Sequence, residues 1–283
     1  MTKIAWITDS MANFSQEEAS RLGVDIVPIQ LIVDGNGYSE TNLSLEDLHR
    51  YMIDQKKEAK TSQPIFGDFI GRYERLKEEG YDCAIAVHCS NGLSSTAKNS
   101  KAAAEAADFK VYTIDSHAAL EAQQELVRIG KAAEQEGKSV EEIVALLEAW
   151  RDKKNFFMII GNMETMRRGG RVSSGELFLA NILNIKPIIT LDETGKVIPF
   201  KKARSLKKAY AEMIGELERR HAENGVKDNR VFVQTALAPK MQDDFVALIE
   251  SKLPGLEVVR TRFCPSIAVH AGFETVGVLW LDA

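Results

Sequence analysis

"CAIAVHCSNGLSST", residues 83–96, decides the fold class of the chain. A six-residue apolar run reads as a buried strand, and the Ser, Asn, Gly and Thr that follow read as the loop at its carboxyl end. The same order recurs elsewhere. "IAWI" (4–7) leads into Thr8, Asp9 and Ser10, and "VYTI" (111–114) leads into Asp115 and Ser116. "DIVPIQLIV" (25–33) reads as a further strand. Between these runs lie helical patterns. Phe66, Phe69, Ile70, Tyr73 and Leu76 recur at helical spacing over 66–79, and Val140, Ile143, Val144, Leu147 and Trp150 do so over 140–150. Strands alternating with helices predict a Rossmann-like, mostly parallel sheet with helices on its faces.

The second half has a different rhythm. "FFMII" (156–160), "IKPIITL" (185–191) and "KVIPF" (196–200) lie close together, and "DETG" joins the last two as a hairpin turn would. Helical runs follow at 205–224 and 240–253, with strands "VFVQTA" (231–236), "LEVVRT" (256–261) and "VGVLWL" (276–281) between and after them. This pattern predicts an α+β domain with an antiparallel or mixed sheet. The polar stretch "RDKKN" (151–155) marks the boundary, giving an α/β domain over 1–155 and an α+β domain over 156–283.

Composition narrows the function. The 283 residues are 45% hydrophobic and 27% charged, the balance of a folded chain. A net charge of −5 weighs against a general nucleic-acid binder. Cys83, Cys89 and Cys264 have no CxxC spacing and read as reduced thiols. No apolar run reaches the roughly 18 residues of a membrane span, and the apolar run in "MTKIAWITDS" is far too short for a signal peptide. The expectation is a cytoplasmic protein with no integral membrane segment.

In open parallel sheets ligands bind at the carboxyl ends of the strands, which is where Thr8, Asp9, Ser10, Ser90, Asn91, Ser94, Ser95, Thr96, Asp115 and Ser116 collect. Each alone is also a good helix cap. "KTSQP" (60–64) fits the same place: Pro64 suits a first helical turn, which puts Ser62 or Gln63 at or beside the cap. The hydroxyls of Thr61 and Ser62 are able to donate to a carboxylate or phosphate. Common catalytic motifs fail. "GRVSSGE" (170–176) has P-loop glycine spacing but carries Glu176 and Leu177 where Lys and Ser/Thr belong, and "GNGYSE" (35–40) lacks the third glycine of a dinucleotide loop and reads as a turn. The five histidines show no metal-ligand spacing, so neither metal nor cofactor is expected. "MRRGGRVS" (166–173) reads either as a solvated turn or as a docking patch for an acidic partner, and "KKAR" (201–204) adds a second basic cluster.

These motifs together resemble the DegV family, the fatty-acid-binding proteins of bacterial lipid metabolism. "ITDS", "KTSQP", "CSNGLSST", "TIDS", "RRGGRVS", "NIKPII" with "KVIPFKKAR", and "VHAG" carry the likeness along nearly the whole chain. The resemblance implies two domains with a ligand cleft between them and a long-chain fatty acid held there. It implies that Thr61, Ser62, Asn91 and His270 meet the carboxylate, with Gln63 and Ser94 in support. It also implies a fatty acid kinase as partner, with Arg171 and Arg168 at the docking face, and no catalysis by the carrier itself. Ile29, Phe178 and Ile182 are candidates to line an acyl tunnel. The physics suits a carrier: at about 0.8 kcal/mol per methylene, a chain of roughly sixteen carbons supplies on the order of 10 kcal/mol before ordering costs.

This sequence departs from the family pattern in several places. Asn91 stands where a serine is usual, Met11 follows "TDS", and "HAGFETVG" puts Phe273 and Glu274 at small-residue positions. Glu121, Gln123 and Gln124 open the helix expected at 118–136. If these polar residues face the ligand, a shorter or more polar acid is favoured; if they face water, nothing changes. The alternative function is an enzyme or binding protein for a smaller carboxylate or carbonyl compound, using Asp9, Asp115 or His270.

Overall fold

The computed structural model describes residues 2–171 and 185–283. Two compact units emerge, Met1–Ser44 with Lys57–Asp152, and Leu45–Lys56 with Lys153–Ala283.

In the first unit, β1 (Ile4–Asp9), β2 (Val24–Val27), β6 (Cys83–His88) and β7 (Val111–Asp115) form a sheet in the order β2-β1-β6-β7, and every pairing is parallel. Alternate side chains serve opposite faces. Ala5, Ile7, Ala84 and Ala86 pack with Phe69, Tyr73 and Leu76 of helix Phe66–Glu78 and with Ala103 and Ala104 of helix Thr96–Ala106. Trp6, Ile85 and Val87 pack on the other side with Leu126 and Val127 of helix Leu120–Gln135 and with Ile143 and Leu147 of helix Val140–Arg151. Fully buried Phe69 and Tyr73 each contribute roughly 1.5–3 kcal/mol of apolar burial.

The predicted single strand at 25–33 is two strands. Pro28, which has no N–H to give a ladder, ends β2; the chain then enters a separate antiparallel sheet as β3 (Gln30–Val33), between β4 (Asn36–Ser39) and β5 (Ala59–Ser62). "GNGYSE" is only partly a turn: Asp34 (φ 47°) and Gly35 (φ 82°) make the bend, and Asn36–Ser39 returns as a strand.

The second unit is built on a mixed six-stranded sheet, β10-β9-β8-β13-β11-β12. Its strands are β8 (Lys154–Ile159), β9 (Lys186–Leu191), β10 (Val197–Ala203), β11 (Arg230–Ala236), β12 (Glu257–Arg262) and β13 (Thr275–Leu281). β11 and β12 are parallel and the other neighbours antiparallel. Helices Leu206–Asn224 and Pro239–Lys252 cover one face through Tyr210, Met213, Leu217, Phe245 and Ile249, packed on Phe157, Val233, Val278 and Trp280. The inserted segment Leu45–Lys56 belongs here as well. Leu45 and Leu48 are buried, Glu46 pairs with Arg262 at 2.7 Å, and the His49 ring meets Phe273 edge-on at 4.9 Å.

Candidate functional site

The carboxyl ends of β1, β6 and β7 bring three polar loops together. Asp9, fully buried, organises the first two. Its carboxylate accepts from Met11 N (3.0 Å), from Cys89 N (2.8 Å) and from His88 Nδ1 (3.1 Å). Those donors tie the loop after β1 to the loop after β6. Asp115 grips the latter from the other side. It accepts from Asn91 N at 3.2 Å, from Asn91 Nδ2 at 2.6 Å and from His117 N at 3.0 Å. Asn13 and His117, in the loops after β1 and β7, and Leu120, the first residue of the next helix, hold left-handed φ of 58°, 51° and 58°, and none of them is glycine. Backbone of that kind persists where its surroundings over-determine it, and it gathers at ligand sites.

Asp9 and Asp115 thus both hold the loops of the site together. Cys89 offers no nucleophile: burial, and next the Asp9 charge, push its thiol well above the ordinary value. Among the described residues no group of three His, Cys, Asp or Glu side chains is arranged to hold a metal ion.

Thr61 and Ser62 lie in β5, not at a helix cap. Ser62 pairs with Gln30 and Thr61 with Leu31 in the small sheet. The following helix begins at Phe66, and Ile65 occupies its N-cap with no side-chain hydrogen bond. The strand ladder sets where these hydroxyls stand, because Pro64 and Ile65 intervene before the first helical residue. Thr61 is half-buried, and Ser62 and Gln63 are exposed. Ser94 bonds the Thr96 hydroxyl at 2.8 Å.

The helix expected at 118–136 spans Leu120–Gln135, and its polar opening does not face water. Glu121, Gln123, Gln124 and Glu125 are all buried. Gln123 Nε2 donates to Thr8 Oγ1 at 3.0 Å and to Val87 O at 3.3 Å, and Glu125 takes Arg128 Nη1 at 2.5 Å. Another buried carboxylate, Glu40, receives the Ser10 hydroxyl, which in turn accepts from Ile29 N at 2.9 Å. Of the tunnel candidates Ile29 is thus packed beside Ser10, while Phe178 and Ile182 lie outside the described residues, as do Glu176 and Leu177.

In the second unit His270 ends helix Pro265–Ala271, beside helix Met163–Gly169. Burial, and next the Arg171 charge, hold its pKa down to about 4. The imidazole is therefore neutral at pH 7, an N–H donor rather than a cation. Arg171 Nη1 donates to Gly169 O at 2.8 Å, closing the C-terminus of helix Met163–Gly169. Arg167 and Arg168 extend to the surface, where both pair with Glu164, at 2.8 Å and 3.6 Å. The departures from the family pattern find places too. Phe273 is buried against His49, and Glu274 is exposed.

Sequence reading missed the His88–Asp9 pair, the Glu40–Ser10 pair and the packing of Gly169. The doubled glycine ahead of Arg171 was the available signal for the last.

Comparison with known proteins agrees along the whole chain. The family model described as "Uncharacterised protein, DegV family" matches residues 3–283. A DegV domain-containing protein of Listeria innocua is 30% identical over 282 residues, covering 98% of each chain. Two solved structures superpose over 100% of both chains with TM-scores of 0.88: DegV of Bacillus subtilis, described as a fatty acid binding protein, at 26% identity, and a DegV family protein of Thermus thermophilus, described by its fatty acid binding, at 27%. Among the described residues, no helix is long and apolar enough to cross a membrane.

Proposed function

This chain belongs to the DegV family, and from that premise we propose that it is a cytoplasmic carrier that binds a long-chain fatty acid and presents its carboxylate to a fatty acid kinase for acyl-phosphate formation. The observation that carries the reading is full-length similarity to two solved relatives described as binding fatty acid. In this proposal Thr61, Ser62 and Asn91 donate to the carboxylate, with Gln63 and Ser94 in support, and neutral His270 donates a further N–H. Asn91 keeps one amide hydrogen for this, since Asp115 takes the other. The Arg171 guanidinium supplies positive charge near His270 that the neutral ring does not. Arg168 and Arg171 are proposed to meet the kinase. A carboxylate taken out of water without such partners would cost several kcal/mol, so the donors fix which end of the ligand points where while the tail supplies most of the affinity.

Mass spectrometry of an organic extract of the purified protein tests the proposal. A fatty acid present in near-stoichiometric amount is the expected result. Protein that is empty and ignores added stearate overturns it, and a short or polar acid in the extract replaces the long-chain reading with the smaller-ligand one. Transfer is tested separately, by asking whether a fatty acid kinase phosphorylates the acid only when this protein carries it.

A further inference from the structure

The two glycines ahead of Arg171 answer different demands. Gly170 has φ 65°, the left-handed turn that ends helix Met163–Gly169, and a Cβ built there would meet nothing within 4 Å. Its requirement is conformational. Gly169 is still inside the helix. A Cβ on residue 169 would stand 2.3 Å from His270 Nδ1, 3.2 Å from its Cγ and 3.4 Å from its Cβ. The first distance is far inside van der Waals contact, so with any larger residue the ring has to move. Its requirement is space, and the group that fills the space is the imidazole.

The surroundings confirm a built seat. Arg171 returns over the same helix end to bond Gly169 O, which places its charge beside the ring. Just past His270, at the C-cap of its own helix, Gly272 packs so closely on Asn162 that a Cβ would lie 2.7 Å from the Asn162 Cβ. Asn162 itself donates its N–H to Ala271 O at 3.0 Å and caps helix Met163–Gly169 through Thr165 N at 3.0 Å. The His270 end of its helix is thus held against both ends of helix Met163–Gly169.

We propose that Gly169 is a positioning residue for His270: by presenting no side chain, it seats the imidazole against the end of helix Met163–Gly169 in the orientation that meets an acid headgroup. The headgroup clause rests on the fatty-acid reading above; the seat does not.

Four proteins test it: Gly169→Ala, Gly170→Ala, His270→Ala and the Gly169→Ala/His270→Ala double variant. The first readout is the NMR pH titration of the His270 ring in lipid-free protein. The second is the Kd for stearate. Gly169→Ala is expected to displace the His270 resonances, raise their midpoint towards the ordinary histidine value and weaken stearate binding at least tenfold. Gly170→Ala is expected to lower the melting temperature while leaving the ring and the Kd unchanged. In the His270→Ala background, Gly169→Ala is expected to change the Kd less than twofold. An unaltered His270 titration in Gly169→Ala overturns the proposal, and so does an equal loss of binding with and without the histidine. Should Gly169→Ala fail to fold, rescue by the double variant supports the clash with the ring, and failure of both assigns the glycine to the backbone and overturns the seat. If the parent protein ignores stearate, the carrier reading falls, and the titration alone judges Gly169.

Discussion

Asp9 is a carboxylate used entirely inside its own protein. Three donors converge on it with no exposure to solvent, so Asp9→Ala leaves Met11 N, Cys89 N and His88 Nδ1 without an acceptor. The expected loss is roughly 3 kcal/mol in urea unfolding, against about 1 kcal/mol for Asp9→Asn, which keeps one oxygen. A loss well below 1 kcal/mol for the alanine would show that the loops do not need the carboxylate. His270 gives the fold a pH dependence of definite sign. Its folded pKa of about 4 lies below the ordinary value of 6.5, so between these the unfolded chain binds the proton more readily. Stability should fall as pH drops from about 6.5 towards 4, and in His270→Gln that part of the slope should vanish from denaturation curves measured across the window. The chemical character of Thr61, Ser62, Asn91 and His270 was legible from residue type alone, because hydroxyls, amides and imidazoles announce what they donate. Gly169 was not legible as a partner of His270: its meaning is a distance to a residue far along the chain, and no local pattern encodes that.

Elements were legible where burial leaves a pattern: helical periodicity where one face is buried, and a continuous apolar run where a strand is buried on both faces. Helices Phe66–Glu78, Val140–Arg151 and Leu206–Asn224 and strands β1, β6, β8 and β13 each bury a regular set of apolar side chains. Periodicity failed where pairing rather than burial defines the element. Strand β5, "AKTS", alternates half-buried and exposed residues with little apolar content, and only its ladder with β3 makes it a strand. The cap expected at Ser62 or Gln63 failed for the same reason. The resulting helix begins with Ile65 at its N-cap, in extended geometry and 53% exposed, with no side-chain bond to the first turn. Ile65→Asp should therefore stabilise the protein by about 0.5–1 kcal/mol, since an Asp carboxylate is an acceptor for the first-turn backbone N–H groups and favours the positive end of the helix dipole. Chemical denaturation checks this, and a neutral or destabilising result would mean that the isoleucine makes a contact worth more than the cap.

For the whole molecule, the alternation of strands and helices was enough to give the parallel sheet, and the change of rhythm after "RDKKN" gave the mixed one. The excursion of Leu45–Lys56 into the second unit was hidden, because a short helical stretch looks the same whichever core receives it. Leu48 is fully buried, and Leu48→Ala should cost about 2–5 kcal/mol. Hydrogen exchange should place the loosening in residues 153–283 rather than in 57–152; equal loosening of both would contradict the assignment of the segment to the second unit. That segment also has a consequence in time. A ribosome completes every residue of the first unit by Asp152, but Leu45 and Leu48 belong to a body whose remaining residues run from Lys153 to Ala283. At about 5–20 residues per second, the wait is on the order of ten seconds. For that interval two leucines made early in synthesis have no core to enter, and the protein must carry an apolar strap, already made and not yet used, through most of its own birth.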